Sequence, residues 1–441
     1  MQVSIIMKND LENHFTIGAE YYHPNFVKVI EKINASSHQV KPLGQICELI
    51  TDGDHGAMQY EKNGILFLLS ESIKEGYIDL SVKRYISNDR HNKLKRSQLK
   101  QDDVVLTKTG VYYGKSAVIP GGFPQANTSA HVGVLKVIKN IVNPYYLSTF
   151  FNSKYGYLQL RRRGIKVSRP EIKLIEFDDI KIVLLDMNFQ MIIEKIVKES
   201  IELIKKSNNL YNEAEGLLLN EVGLGNWNGR GEPFFIKTYL DVEKVKRIDA
   251  EYFQPKYENL INIIKKYTNG YDSLDNIVKI TKCIEVGSNE YQESGIPFIR
   301  VSNLLTIEIS DNNLIFISEN LYEKLKRFQP KKNEILLSKD ATPGIAHHLD
   351  KGPEKMILSG GILRLKIKDK RLNEETLTLI LNSIIVQQQV ERDSGGSVIE
   401  HWRVDQVKNT LIPLINEKIN QEICNNIRKS FINCDWEYRA V

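Results

Sequence analysis

Cysteine is scarce in this chain: Cys47, Cys283, Cys424 and Cys434 are the four, and no two stand as a CxxC pair or at zinc-binding spacing. That argues against a disulfide scaffold and a structural zinc, and leaves reduced, mostly buried thiols in a cytoplasm as the expectation. Long apolar runs are absent as well. None approaches the roughly 20 residues of a membrane helix, and the stretch from Met1 to Asp10 turns polar too soon after Ile6 for a secretion signal. No membrane partner is expected. An excess of one charge is nearly lacking too: the formal net charge of +5 over 441 residues tolerates nucleic acid but does not select it. Hydrophobic residues at 41% nevertheless supply a core, and the length calls for two to three compact units.

What is present is a chain written twice. Ile17-Gly18-Ala19-Glu20-Tyr21-Tyr22-His23-Pro24 returns as Ile248-Asp249-Ala250-Glu251-Tyr252-Phe253-Gln254-Pro255. At the same offset, Tyr60, Gly64, Ile65 and Phe67 meet Tyr291, Gly295, Ile296 and Phe298, and Val104-Val105-Leu106 with Lys108 meets Ile335-Leu336-Leu337 with Lys339. After small gaps the register continues through Asn152-Ser153 against Asn382-Ser383 to Asp178-Asp179-Ile180 against Asp405-Gln406-Val407. An ordered series of this length marks an internal duplication.

Each copy reads as a compact α/β (α+β) globule. Gly64 to Leu69 and Gly295 to Val301 are expected as short buried strands, as are Val104 to Thr107 and Ile335 to Ser338. Asn143-Pro144 caps an expected helix through Phe151, with Glu375 to Ile385 as its counterpart. From Asn188 to Val222 the texture changes: Phe189, Ile193, Ile196, Leu203, Leu210, Ala214 and Leu217 step by threes and fours, with Ser200 and Ser207 in the same stripe. That is a coiled-coil seam, a rod of roughly 50 Å, which Gly223 to Asn226 stops. A second rod starts near Asn416 with Ile419, Ile423, Ile427 and Phe431, and it is expected to pair with the first as an antiparallel strut, although it is the shorter. The chain thus divides into an N-terminal segment (1–16), a first globule (17–185), a central helix (186–222), a linker (223–247), a second globule (248–414), a C-terminal helix (415–434) and a tail (435–441).

Signals of catalysis fail on inspection. Gly110 to Ser116 ends in Gly-Lys-Ser but is one residue too short for a phosphate-binding P-loop. Asn143-Pro144-Tyr145-Tyr146 approaches the Asn-Pro-Pro-Tyr of adenine methyltransferases but lacks the second proline, and a helix cap explains it. His347-His348 lacks a third metal ligand at suitable spacing. No catalytic residue, bound cofactor or metal is therefore expected in this chain.

The ordered set, globule–long helix–globule–helix, resembles the specificity subunits of type I restriction–modification systems over essentially the whole chain. Ile50-Thr51-Asp52-Gly53-Asp54-His55 with Gly64-Ile65-Leu66-Phe67 is similar to the opening of one class of target-recognition domain, and Gly295 to Val301 to the same place in another. Arg247 to Tyr257, preceded by Leu224 and Trp227, resembles the family's join between central helix and second domain; the first copy departs from it, with Thr16 and Gly18 in place of the Arg and Asp. The resemblance implies two target-recognition domains in tandem that read a bipartite, asymmetric site in double-stranded DNA, with the helices as spacer. It implies two methyltransferase subunits that carry S-adenosylmethionine and methylate adenine N6, and a translocase–nuclease restriction subunit that uses ATP and magnesium, in the cytoplasm of a bacterium or archaeon as part of host defence. The recognition half of a split or fused (type IIB/IIG-like) enzyme and a pseudo-dimeric repressor are the alternatives; the second lacks a helix-turn-helix signal.

Base readout needs donors and acceptors on loops, and phosphate contacts need cations or hydroxyls. The candidates in the first copy are Lys108, Thr109, Tyr112, Tyr113, Lys115 and Ser116, then Arg161, Arg162, Arg163, Lys166, Ser168 and Arg169 on a second, basic loop. In the second copy they are Lys339, Asp340, Thr342, His347 and His348, then Arg392, Ser394, Ser397, His401 and Arg403, together with Arg300 and Asn303. Asp52 and His55 are weaker candidates, Asp52 as a turn cap and His55 as a carbonyl partner.

Overall fold

Pro24 at the first turn starts helix α1 (Pro24–Asn34), and the His23 ring caps it by accepting from the Asn25 amide. The computed structural model of the chain describes residues 5–6, 18–56, 58–110, 113–164, 170–311, 313–395 and 400–435. Two compact units divide it, one ending at Glu202 and one beginning at Leu203.

The first unit continues with strands β1 (Gln39–Pro42), β2 (Cys47–Asp52), β3 (Ile65–Leu68) and β4 (Tyr85–Ile86), helix α2 (Asn88–Lys93), and strands β5 (Val104–Thr107), β6 (Ser116–Val118), β7 (Ala126–Thr128) and β8 (Val132–Val137). Helices α3 (Pro144–Asn152) and α4 (Lys154–Gly164), strand β9 (Lys181–Leu184) and helix α5 (Met187–Val222) follow. An antiparallel sheet runs β2-β8-β5-β6, a smaller sheet runs β4-β3-β7 with β3 and β7 parallel, and β1 pairs with β9. The β5 run is apolar without alternation because both faces are covered. Val104 and Leu106 pack with Leu135, Phe151 and Leu160 on the helix side, while Val105 packs with Leu66, Ala117 and Val134 on the other.

The second unit opens with helices α6 (Tyr239–Val245) and α7 (Pro255–Lys266), strand β10 (Tyr271–Ser273), helix α8 (Leu274–Ile277), and strands β11 (Val278–Lys282), β12 (Ile296–Ile299) and β13 (Ile315–Ile317). Helix α9 (Glu319–Leu325), strands β14 (Ile335–Ser338), β15 (Ala346–His348), β16 (Ile357–Leu358) and β17 (Ile362–Ile367), helices α10 (Glu374–Asn382), α11 (Ile384–Ser394) and α12 (Val404–Asn409), strand β18 (Leu411–Pro413) and helix α13 (Glu417–Asp435) complete it. Its sheets, β11-β17-β14-β15, β13-β12-β16 and β10-β18, repeat those of the first unit strand for strand.

The repetition extends to individual bonds. Asn152 at the end of α3 accepts from Ser116 N (2.9 Å) and donates to Ser116 O (2.8 Å); Asn382 does the same to Ala346 N (2.9 Å) and O (2.8 Å). Gln159 clamps the backbone of Lys181 as Gln389 clamps that of Leu411. Gly64 (φ +148°) and Gly295 (φ +136°) each leave 2.5 Å between a hypothetical Cβ and a carbonyl of the neighbouring strand, Ile86 O or Ile317 O, so no side chain fits. The sequence expected one helix from Glu375 to Ile385; it breaks at Ser383, whose hydroxyl caps α11 by accepting from Ile385 N.

Helix α5 buries a different stripe from the one read off the sequence in its first half. Gln190 is buried and Ile193, Val197 and Ile201 pack on the first unit's core, whereas Phe189 and Ile196 are exposed. In its second half Ala214, Leu218 and Val222 join the core of the second unit with Ile423 and Ile427 of α13. The Ser207 hydroxyl lies 2.9 Å from that of Ser430, and Tyr267 links Glu221 to Asn416, so this half of α5 and α13 run antiparallel.

Between β15, α10 and α13, the His348 ring is 6% exposed, with neither ring nitrogen hydrogen-bonded. Glu375, Glu374, Asp350 and Arg428 surround it, and burial lowers its pKa from the ordinary 6.5. The unfolded chain therefore takes up a proton near pH 6.5 that the folded chain refuses, so this histidine's contribution to stability falls as pH drops through that value, by up to about 1.4 kcal/mol per pH unit. His348→Val, which copies Val118 of the first unit, is expected to reduce the acid loss in urea titrations between about pH 7.5 and 5; an unchanged pH slope refutes this origin.

Candidate nucleic-acid interface

The chain leaving β5 in the first unit turns inward. Lys108 is 3% exposed, its Nζ 3.2 Å from Asp52 Oδ2 and 3.4 Å from Glu171 Oε1. Asp52, at the end of β2 and 1% exposed, also accepts from Arg96 (3.3 Å) and holds His55 Nε2 at 3.1 Å. The turn-cap reading of Asp52 and the carbonyl reading of His55 are thus corrected: one buried carboxylate gathers an ammonium, a guanidinium and an imidazole. Next to it, Gly53 allows β2 to approach Thr128, whose carbonyl oxygen would lie 1.7 Å from any Cβ. Burial pushes the Asp54 pKa up, but hydrogen bonds from Arg90 and the Gly56 amide outweigh it and hold the carboxylate below its ordinary range.

Several other candidates are structural. Tyr113 is 1% exposed, donates to Arg161 O (2.8 Å) and has its pKa pushed up to about 12 by burial. Ser116 is a fully buried residue of β6, and Thr109 is buried, bridging to Glu171. The expected basic loop is in part the helix α4: Arg161 stacks over the Tyr113 and Tyr157 rings, Arg162 donates to Tyr21 O (2.9 Å) over the Tyr21 ring, and Arg163 donates to Gln159 O (3.0 Å). Lys115 remains at the surface, 3.5 Å from Glu75. Tyr112, Lys166, Ser168 and Arg169, like Ser397 of the second copy, lie outside the described residues.

The second unit places its candidates on the same backbone frame. Lys108 N donates to His131 O (3.0 Å) and Lys339 N to Gly361 O (2.9 Å), and the Thr109–Glu171 bridge becomes Asp340–His401. Here the cluster is more open. Asp340 pairs with Lys339 and sits 2.9 Å from His401 Nδ1; burial pushes its pKa up, but hydrogen bonds from Lys339 and His401 outweigh it and hold the carboxyl below its ordinary range. Thr342 is exposed, and the side chains of His401 and Arg403 are 62% and 69% exposed, Arg403 lying 3.3 Å from Asp405. Arg392 and Ser394 belong to α11 instead of a loop: Arg392 pairs with Asp393, and Ser394 is buried on Val390 O. His347 and His348 form β15, with His347 Nδ1 3.3 Å from Thr306 O. Asn303 is fully buried, accepting from Arg300 N and donating to Ser310 O, while Arg300 donates to Asn313 O (2.9 Å).

Composition alone could not have placed Asp52, Arg96 and Glu171 around Lys108, since they join from separate elements. The surface that remains offers imidazole, guanidinium, hydroxyl and carboxylate groups, the donors and acceptors that base edges and phosphates require. Among the described residues no group of three or more His, Cys, Asp or Glu could hold a metal ion, and no helix is long and apolar enough to cross a membrane.

Residues 244–434 match the family model described as the type I restriction modification DNA specificity domain. No curated protein matches the chain. Among solved structures it is similar to the S subunit of a type I restriction-modification system from M. genitalium, at 8% identity and TM-score 0.44, over 92% of this chain and 93% of that one. It is also similar to the HsdS subunit from Thermoanaerobacter tengcongensis, at 13% identity and TM-score 0.28, over 92% of each chain. The type IIG restriction endonuclease BpuSI matches at 11% identity and TM-score 0.31, over 44% of this chain and 30% of its own.

Proposed function

We propose that the chain is a member of the type I restriction modification specificity family, whose DNA specificity domain residues 244–434 match, and that its two units each read one half of a bipartite, asymmetric DNA site. The match over residues 244–434 carries the reading, and the first unit's strand-for-strand repetition extends it. The same frame carries Thr109 and Glu171 in one unit and Asp340 and His401 in the other. Two different chemical faces on one frame favour two different half-sites. The chain itself performs no chemistry in this proposal. Methyltransferase subunits, two per chain, supply S-adenosylmethionine and methylate adenine, and a restriction subunit supplies ATP-driven translocation and cleavage.

Methylome sequencing of cells with and without the gene is expected to show one bipartite adenine-methylation motif that disappears with it. An unchanged methylome, together with failure of the purified chain to retain a methyltransferase, rejects the proposal. A second expected outcome concerns α5. Adding or removing one helical repeat within residues 188–222 is expected to alter the length of the unread gap and leave both half-sites intact. A gap of unaltered length rules out α5 as its determinant.

A further inference from the structure

Where two heads read different bases, the groups that touch bases must differ, but phosphates are the same on every sequence, so the groups that touch phosphates can be shared. The loops compared above differ between the units. One exposed charged segment does not. Lys93-Leu94-Lys95-Arg96 of the first unit recurs without change as Lys324-Leu325-Lys326-Arg327 of the second, in register with the duplication.

The fold presents the two in the same way. Each begins in the last turn of a short helix capped by a serine hydroxyl, Ser87 accepting from Arg90 N in α2 and Ser318 from Leu321 N in α9, and each runs on into a 3-10 turn, Lys95–Ser97 or Lys326–Phe328. The leucine is a peg: Leu94 packs on Ile65, Phe67 and Ile86, and Leu325 on Phe298 and Ile317 at the matching strand positions. The three cations around it are exposed in both units. Two of the six have carboxylate neighbours, Arg96 at 3.3 Å from Asp52 and Lys326 at 3.2 Å from Glu323. Among the described residues, Lys93, Lys95, Lys324 and Arg327 have no carboxylate within 4 Å. Arg96 also joins this corner directly to the Asp52–Lys108 cluster.

We infer that these twin basic corners are sequence-independent contacts to the DNA phosphate backbone, one on each head; the inference rests on the DNA-reading function proposed above and assigns the division of labour within it. The corner fixes the head on the duplex, and the unlike loops beside it discriminate bases.

The test measures binding of the full chain, with any methyltransferase that co-purifies, to two fluorescein-labelled duplexes across a salt series: one carrying the motif found by methylome sequencing and one scrambled. The variants are K93Q/K95Q and K324Q/K326Q/R327Q, with K93R/K95R and K324R/K326R as charge-keeping controls; Arg96 is left in place because it pairs with Asp52. Each lost phosphate contact is expected to flatten the slope of log affinity against log salt by about 0.9 and to weaken binding about fivefold at ~0.15 M salt. The loss is expected to be equal on both duplexes and restored by the arginine controls. Wild-type slope in the glutamine variants overturns the corners as contacts while leaving DNA reading intact. A loss on the motif duplex alone makes them base readers and also overturns the inference. A wild-type chain without salt-dependent binding to either duplex removes the DNA-reading function and the corners with it.

Discussion

Arg364→Leu is expected to cost the second unit about 3–5 kcal/mol, because it strands a buried carboxylate. Arg364 on β17 is 5% exposed and Glu334 6% exposed. The guanidinium grips the carboxylate with both arms, Nε to Oε2 at 2.7 Å and Nη2 to Oε1 at 2.9 Å, and its third nitrogen donates to Phe328 O at 3.1 Å. Glu334 also accepts from Lys331 N, which pins the turn before β14. Bidentate pairing offsets the desolvation of two charges only while both partners are present. The double variant Arg364→Leu/Glu334→Leu is therefore expected to recover most of the loss, as seen in urea unfolding midpoints at constant m-value. A single variant within about 0.5 kcal/mol of wild type contradicts this view of the pair.

Asp52→Ala is expected to do comparable damage in the first unit, and in addition to blind one half of the reading surface. Removing the carboxylate leaves the 3%-exposed Lys108 with the half-exposed Glu171 as its one remaining carboxylate partner among the described residues, and releases Arg96 and His55. The expected stability loss is again about 3–5 kcal/mol. Asp52→Leu/Lys108→Met separates packing from recognition: stability is expected to return while the first half-site is lost or altered in the methylome and the second stays unchanged. If both halves change together, or neither does, the cluster does not serve one head alone.

The duplication carried most of the architecture that could be read from residues alone. Val104-Val105-Leu106 and Ile335-Leu336-Leu337 are unbroken apolar runs that only doubly covered strands tolerate, and they are the centres of both main sheets. Asn143 and Pro144 are a cap and a first-turn proline wherever they occur together in this way, and Asn143 Oδ1 does accept from the amides of Tyr145 and Tyr146. The candidate site was legible as a region and poorly as residues. A run such as Arg161-Arg162-Arg163 has the composition of a solvated loop, yet two of the three are buried against tyrosine rings and backbone carbonyls, because arginine carries enough apolar surface and fixed donors to be a core residue. Tyr113 and Ser116 likewise have hydroxyls but spend their surroundings on packing. The Lys-Leu-Lys-Arg repeat was visible in the sequence and needed only the offset to be followed a few residues further upstream; that its leucine points in and its cations point out required the fold.

The hydroxyl pair Ser207–Ser430 lies in an otherwise largely aliphatic contact between α5 and α13, and Ser430 also donates to Ser207 O. Sliding one helix by a single turn would bring each hydroxyl against hydrocarbon, whereas leucine against leucine would forgive such a slip. The pair therefore acts as a notch in a ratchet: it adds little holding force of its own but admits a single setting of α13 against the second half of α5, and bars a drift of one pitch.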